Sequence, residues 1–271
     1  MSQTETLPSS TAESGVLEQA RNLEREASRL REQNQIDKAF ELYDRAAEIY
    51  QEAGDDLQAA LCFASAATCW NIHTGWRPLN QAATRSRFAA EAAEKAGHFD
   101  YSRSLFHDAA LLFEKEGDSE AYSYCFMSSQ RVHGKAAFDE FLKGCHEDGS
   151  CLGRRARVRA LIYWLGNRVS NLVWGYGEKP FRVFGTALAS IFIFGFIYAG
   201  SGLVLPAGGR FVTSLADSLY FSAVTFSTVG YGDFLPHGWV KLAAVLEGLL
   251  GITLTPLFVV ALTRRYLRMY R

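Results

Sequence analysis

The sequence predicts an all-α protein in which a helical-hairpin repeat domain precedes a two-helix transmembrane module with a short re-entrant helix between its spans. Three observations carry this reading. Charge divides unevenly: residues 1–153 hold 15 Lys and Arg against 25 Asp and Glu, whereas residues 154–271 hold 13 against 4. Ala-rich apolar phrases recur at helical spacing in the first half, and two long apolar runs occupy the second. An acidic half joined to a basic, apolar half places one part in solution and the other at a bilayer, and 271 residues suffice for two domains. The near-neutral total of −1 and the lack of a basic-aromatic stripe give no reason to expect nucleic acid as a partner.

Residues 1–15 are rich in Ser, Thr, Glu and Gln without an apolar run, so disorder is expected there, and no cleavable signal peptide is read. Residues 16–150 read as helix after helix. Ala39, Leu42, Tyr43, Ala46, Ala47, Ile49 and Tyr50 recur at helical spacing before Gly54. The phrase returns as Phe88, Ala89, Ala90 and Ala93 before Gly97, and as Leu105, Phe106, Ala109, Ala110 and Phe113 before Gly117. Small residues let paired helices approach closely, and each Gly is placed to end a helix in a left-handed cap. Helices of about fifteen residues at this spacing resemble tetratricopeptide-type hairpins, two or three of them. That resemblance implies a concave face able to take a protein or peptide partner. All five cysteines precede the apolar half without disulfide-type spacing, which fits a reducing, cytosolic compartment. Cys62 and Cys69 lie two turns apart and read as core. Cys145, His146 and Cys151 fit no zinc spacing, so no metal is expected on them.

Residues 154–179 change character. Val158, Leu161, Ile162, Leu165, Val169, Leu172 and Val173 form one stripe, with Arg154, Arg155, Arg157, Arg159 and Arg168 supplying charge. Such a basic amphipathic helix is suited to the inner membrane interface, with Trp164 and Trp174 as anchors, or to a solvated linker. Gly175-Tyr176-Gly177 reads as a turn.

The module at 180–271 follows. Residues 183–205 contain 23 residues without a charge, roughly 35 Å of helix against a hydrocarbon core of about 30 Å. A second run at 239–263 is interrupted only by Lys241 and Glu247. Seven basic residues lie between Arg154 and Arg182, and Arg264, Arg265, Arg268 and Arg271 follow the second run. The positive-inside rule then puts both termini in the cytoplasm of a two-span protein of the cell membrane. Between the spans, residues 214–227 read as a helix opened by a Ser214/Asp217 capping box. It is too short to span and must dip in and return.

Thr228-Val229-Gly230-Tyr231-Gly232-Asp233 comes next. Here, over roughly residues 180–265, the sequence resembles the two-transmembrane potassium channels, whose selectivity filter carries this phrase. The resemblance implies a homotetrameric pore in the lipid bilayer with a pore helix at 214–227 and a filter loop at 228–233. Dehydrated K⁺ would be bound by the carbonyls of Thr228, Val229, Gly230 and Tyr231 and by the Thr228 hydroxyl. Gly230 and Gly232 would supply mirror-image dihedrals, and Tyr231 would pack away from the pore against Tyr220 and Phe221. Ser227 replaces a second Thr. Val224 stands where some relatives place a carboxyl that pairs with the equivalent of Asp233. Gly251 either hinges the inner helix, with Pro256 adding a kink, or permits close packing. Thr255 and Val259 are candidates to line the cavity and its narrow end. Glu247 is either a structural brace or a proton-sensitive one, with Ser222, Thr225 or Ser227 as partners.

The function implied is passive K⁺ conduction, gated through the N-terminal domain and/or bending of the inner helix. No nucleophile–base constellation, P-loop or dinucleotide fingerprint occurs, so neither enzyme chemistry nor a cofactor beyond the permeant ion is expected. Two alternatives are a weakly selective cation channel and a membrane-anchored scaffold.

Overall fold

The computed structural model describes residues 9–72, 78–145, 150–208 and 214–269. It divides into two compact units, residues 1–168 and 169–271. Six helices build most of the first: α1 (Ser9–Glu32), α2 (Ile36–Glu52), α3 (Asp56–Ile72), α4 (Pro78–Lys95), α5 (Phe99–Glu116) and α6 (Ser119–Lys143). Each packs on the next, giving the expected helical-hairpin repeat region. The helices run 17–25 residues, longer than the fifteen expected. Helix α1 starts at Ser9, inside the segment expected to be disordered; residues 1–8 lie outside the described residues. The helix extends backward from its packed part through Gly15.

Alanines set the spacing of this unit. Ala46, Ala60, Ala83, Ala90, Ala93 and Ala109 are all wholly buried, which brings neighbouring backbones close, and Tyr50 and Phe106 fill the larger gaps. The phenol of Tyr50 donates to Glu24 Oε2 at 3.1 Å and Ser102 Oγ to the Ala90 carbonyl at 2.7 Å, so these two hydroxyls keep partners. Gly54, Gly97 and Gly117 follow α2, α4 and α5 at φ +79°, +83° and +80°. The amide one residue beyond each reaches back to Tyr50, Ala93 and Phe113, the bond of a Schellman cap. Cys62, Cys69 and Cys125 are buried in this packing.

The next helix, α7 (Arg154–Trp174), begins in the first unit. The boundary expected near residue 150 falls at 168 instead, because the first part of α7 is tied to α6. Arg157 Nε and Nη2 donate to the Phe141 carbonyl at 3.2 and 2.9 Å, and Asn167 Nδ2 donates to the Gln130 carbonyl at 2.9 Å. Gly134 leaves room for Asn167, which a Cβ there would strike. Trp164, expected as an interfacial anchor, lies on Phe138 at 4.9 Å between centroids. Val158, Ile162 and Leu165 remain exposed on another face.

The second unit holds the rest of α7, a 3₁₀ turn at Gly175–Gly177, α8 (Pro180–Ser201), β1 (Val204–Pro206), α9 (Leu215–Phe226), β2 (Phe234–Pro236) and α10 (Val240–Met269). Two helices among the described residues, α8 and α10, are long and apolar enough to cross a membrane. Pro180 opens α8 at a position needing no amide donor, and Gly202 ends it at φ +62°. The expected span to residue 205 therefore stops at Ser201, and the chain enters β1. Strands β1 and β2 pair antiparallel, Val204 with Pro236, Leu205 with Leu235 and Pro206 with Phe234. This pairing closes the excursion containing α9. Tyr198, Val204, Phe221 and Val240 form a buried cluster where the elements meet.

Phe106→Ala removes a wholly buried ring and is expected to destabilise the first unit by about 3–5 kcal/mol, read from denaturant midpoints followed by circular dichroism.

Candidate functional site

Helix α9 is held at its start, middle and end, by groups of different chemistry. At the start, Asp217 N donates to Ser214 Oγ at 3.2 Å and Ser214 N to Asp217 Oδ2 at 2.9 Å, the reciprocal box expected from the sequence. The backbone amide of Ser214, then its hydroxyl, hold the Asp217 carboxyl below its usual range. The box is therefore complete at neutral pH and is lost only as pH falls through that lowered value.

The middle is braced by Glu247, a wholly buried side chain of α10. Tyr198 of α8 donates its hydroxyl to Glu247 Oε2 at 2.6 Å. Ser222 of α9 bonds Glu247 Oε1, and its hydroxyl also faces the Ile191 carbonyl of α8 at 2.8 Å. One hydroxyl proton cannot serve both acceptors, so the network closes fully only when the Glu247 side chain also carries a donor at Oε1. Glu247 thus links all three helices. Ser222 was among its expected partners; Tyr198 was missed, because a tyrosine 49 positions away leaves no local signal. Ser227, another candidate, is used elsewhere: its Oγ donates to the Val224 carbonyl at 3.2 Å.

The end of α9 meets α10 at Gly251. A Cβ on Gly251 would collide with the Phe226 carbonyl oxygen, a backbone atom that cannot swing aside. Gly195 of α8 plays the matching part, since a Cβ there would stand 2.6 Å from Leu219 Cδ2. Helix α10 runs on through Pro256, whose missing amide leaves one carbonyl of the preceding turn without its helical donor. Thr255 Oγ1 turns back to the Gly251 carbonyl at 2.9 Å, and Val259 is 54% exposed in the single chain.

Beyond α9 the backbone takes an unusual course. Thr228, Gly230 and Gly232 have φ of +59°, +58° and +77°. For a glycine this is free, and for Thr228 it is strained. The amides of Val229 and Gly230 both turn back to the Val224 carbonyl, at 3.1 and 3.4 Å, and Thr228 N reaches Thr225 O at 3.0 Å. Among the described residues no backbone amide donates to the carbonyls of Thr228, Val229, Gly230 or Tyr231. Asp233 closes the loop: its carbonyl accepts from Ala207 N at 2.7 Å and its carboxylate bonds the Tyr220 hydroxyl.

The two aromatic residues expected to support Tyr231 also have other ring partners in the single chain. Tyr220 stands edge-on to Phe234 with centroids 5.9 Å apart, Phe221 stands edge-on to Tyr198 at 5.0 Å, and Tyr231 is 72% exposed. Both rings are already committed within the chain, Tyr220 by Asp233 and Phe221 by the buried cluster.

Residues 182–268 match the family model described as "Ion channel". Protein LctB of Geobacillus stearothermophilus is 47% identical over 45 residues, which cover 17% of this chain and 34% of that protein. The shared stretch thus spans about a third of LctB's own length. No solved structure matches the chain. The matched region, with its two membrane-capable helices, supports an ion-channel domain in a two-span membrane protein.

Two substitutions test the bracing. Glu247→Gln keeps an acceptor for Tyr198 and gains a donor for Ser222, so thermal stability in detergent is expected to persist. Glu247→Leu strands the Tyr198 hydroxyl and is expected to cost about 1–3 kcal/mol. Gly251→Ala drives a methyl group into the Phe226 backbone and is expected to lower the yield of folded protein on size exclusion, where a purely flexible glycine would tolerate it.

Proposed function

We propose that the protein is a subunit of a potassium-selective channel, four copies of which surround one axis and let K⁺ pass down its gradient. The observation that carries this reading is the backbone of residues 228–232. The amides of Thr228, Val229 and Gly230 turn back onto α9, and three left-handed residues alternate along the strip. Among the described residues, no backbone amide donates to four carbonyls, those of Thr228, Val229, Gly230 and Tyr231. Four such strips around an axis would present rings of oxygens to replace an ion's hydration shell. The C-terminal end of α9 adds a partial negative charge that favours a cation below the strip. Tyr231, exposed in the single chain, would be covered by a neighbouring subunit. The Asp233–Tyr220 bond takes the place of the carboxyl pair that Val224 rules out, and anchors the outer end of the filter.

In this reading the acidic repeat domain lies in the cytoplasm with both termini, following the basic residues that flank the spans. Its helical repeats, tetratricopeptide-like in spacing, are the candidate receiver of a protein or peptide signal. Gating combines that domain with motion of α10 below the Gly251 crossing, where Pro256 weakens the helix and Thr255 and Val259 face the narrowing path.

Reversal potential of the purified protein in planar bilayers tests the proposal. A reversal near the K⁺ equilibrium value under a KCl gradient, with Na⁺ nearly impermeant, is expected. Gly230→Ala, which strains a left-handed position, and Tyr231→Ala are each expected to abolish the selectivity. Equal permeability to Na⁺ and K⁺ would shift the reading to a weakly selective cation channel.

A further inference from the structure

We propose that Cys145 and Cys151 form a reversible thiol–disulfide site that staples the turn between α6 and α7. The two residues face each other across an isolated antiparallel bridge, with their sulfurs 3.2 Å apart. Gly144, left-handed at φ +71°, ends α6 and turns the chain into this bridge. Leu152 N donates to the Gly144 carbonyl at 2.7 Å, one step outside the cysteine pair. The cysteines therefore occupy the position of closer approach in an antiparallel ladder, where Cα atoms stand about 4.5 Å apart. A disulfide needs roughly 4.4–6.8 Å between Cα atoms, so the bond requires rotation of side chains and little movement of backbone.

The surroundings distinguish this pair from the other cysteines. Cys62, Cys69 and Cys125 are buried, and burial pushes the Cys62 and Cys125 thiols up to about 12. Cys151 is exposed and Cys145 half-buried, both within reach of a small thiol reagent. The hydrogen bond with Cys151, with some burial, holds the Cys145 thiol above its ordinary range, while Arg157 pulls it down. That guanidinium is fixed by its two bonds to the Phe141 carbonyl. It is positioned to stabilise a thiolate once the shared proton leaves.

The oxidant is a low-molecular-weight disulfide such as glutathione disulfide. One cysteine thiolate attacks a glutathione sulfur, and the first glutathione leaves as a thiolate. The second cysteine attacks the protein sulfur of the mixed disulfide and expels the other glutathione. Two electrons pass from the cysteine pair to glutathione disulfide, and the two cysteine protons end on two glutathione thiols. The closed loop joins the end of α6 to the start of α7 and limits their separation. Disulfides of this exposed kind in reducing compartments are labile and regulatory rather than structural.

The test uses the full chain in detergent, equilibrated in buffers of graded glutathione to glutathione disulfide ratio, then alkylated and digested with trypsin. Lys143 and Arg154 flank one peptide that carries both cysteines. Expected is a reversible titration in which this peptide goes from two alkyl groups to none and loses two hydrogens. Cys151→Ser is expected to convert the product into a glutathione adduct on Cys145, and Cys145→Ser to do the reverse. Cys62→Ser should leave the titration in place. The proposal is overturned if the peptide takes two alkyl groups at every ratio, if it carries glutathione without an internal bond in the unsubstituted protein, or if oxidation yields only cross-linked chains. The measurement is made without current, so it stands or falls apart from the conduction reading.

Discussion

The twelve residues of α9 make roughly 18 Å of helix, too little to cross a hydrocarbon core of about 30 Å. Such a helix brings unpaired amides and carbonyls into apolar surroundings, where each orphan is costly. The second unit is arranged around that constraint. Ser214 and Asp217 satisfy the amino end. At the other end the Val224 carbonyl takes the amides of Val229 and Gly230, and the chain must turn left-handed at Thr228 to deliver them. The unusual course of residues 228–232 is thus tied to the termination of α9.

Close approach is the second theme, and the two units achieve it differently. In the first, buried alanines recur along six helices, so the backbones stack without large gaps. In the second, two glycines carry the contact: Gly195 against Leu219 and Gly251 against the Phe226 carbonyl. A backbone atom is a rigid neighbour, which makes Gly251 less replaceable than any alanine of the first unit. Glu247, one turn before Gly251, then binds the helices that this crossing brings together. A buried carboxyl with two partners is costly to disturb and gives the three helices a fixed register.

Much of this was legible in the sequence, and the failures have physical reasons. Periodicity located the repeat helices, and glycine spacing located their left-handed ends at Gly54, Gly97 and Gly117. The capping box at Ser214 and Asp217 was readable because its members are three residues apart. The partners of Glu247 were only half readable: Ser222 follows from depth, but Tyr198 sits in another helix and resembles any aromatic of an apolar span. For Trp164 the amphipathic pattern gave no sign of the contact with Phe138, a partner on another helix. Tyr231 is exposed in the single chain, where Tyr220 and Phe221 also engage Asp233 and Tyr198.

The exposed surface of the second unit is of two kinds, and they cannot share one solvent. Phe181, Phe184, Ile193 and Phe196 on α8, with Leu242 and Ile252 on α10, are apolar and suited to lipid tails. The strip from Thr228 to Asp233 is exposed too, and among the described residues no backbone amide donates to its carbonyls from Thr228 to Tyr231. Hydrocarbon cannot cover such groups, because nothing in it donates a hydrogen bond. The strip must therefore face water, ions or other copies of the chain while α8 and α10 face lipid. A single copy has no enclosed place for it. The proposed ring of four resolves the conflict by turning the apolar faces outward and the four strips toward one axis.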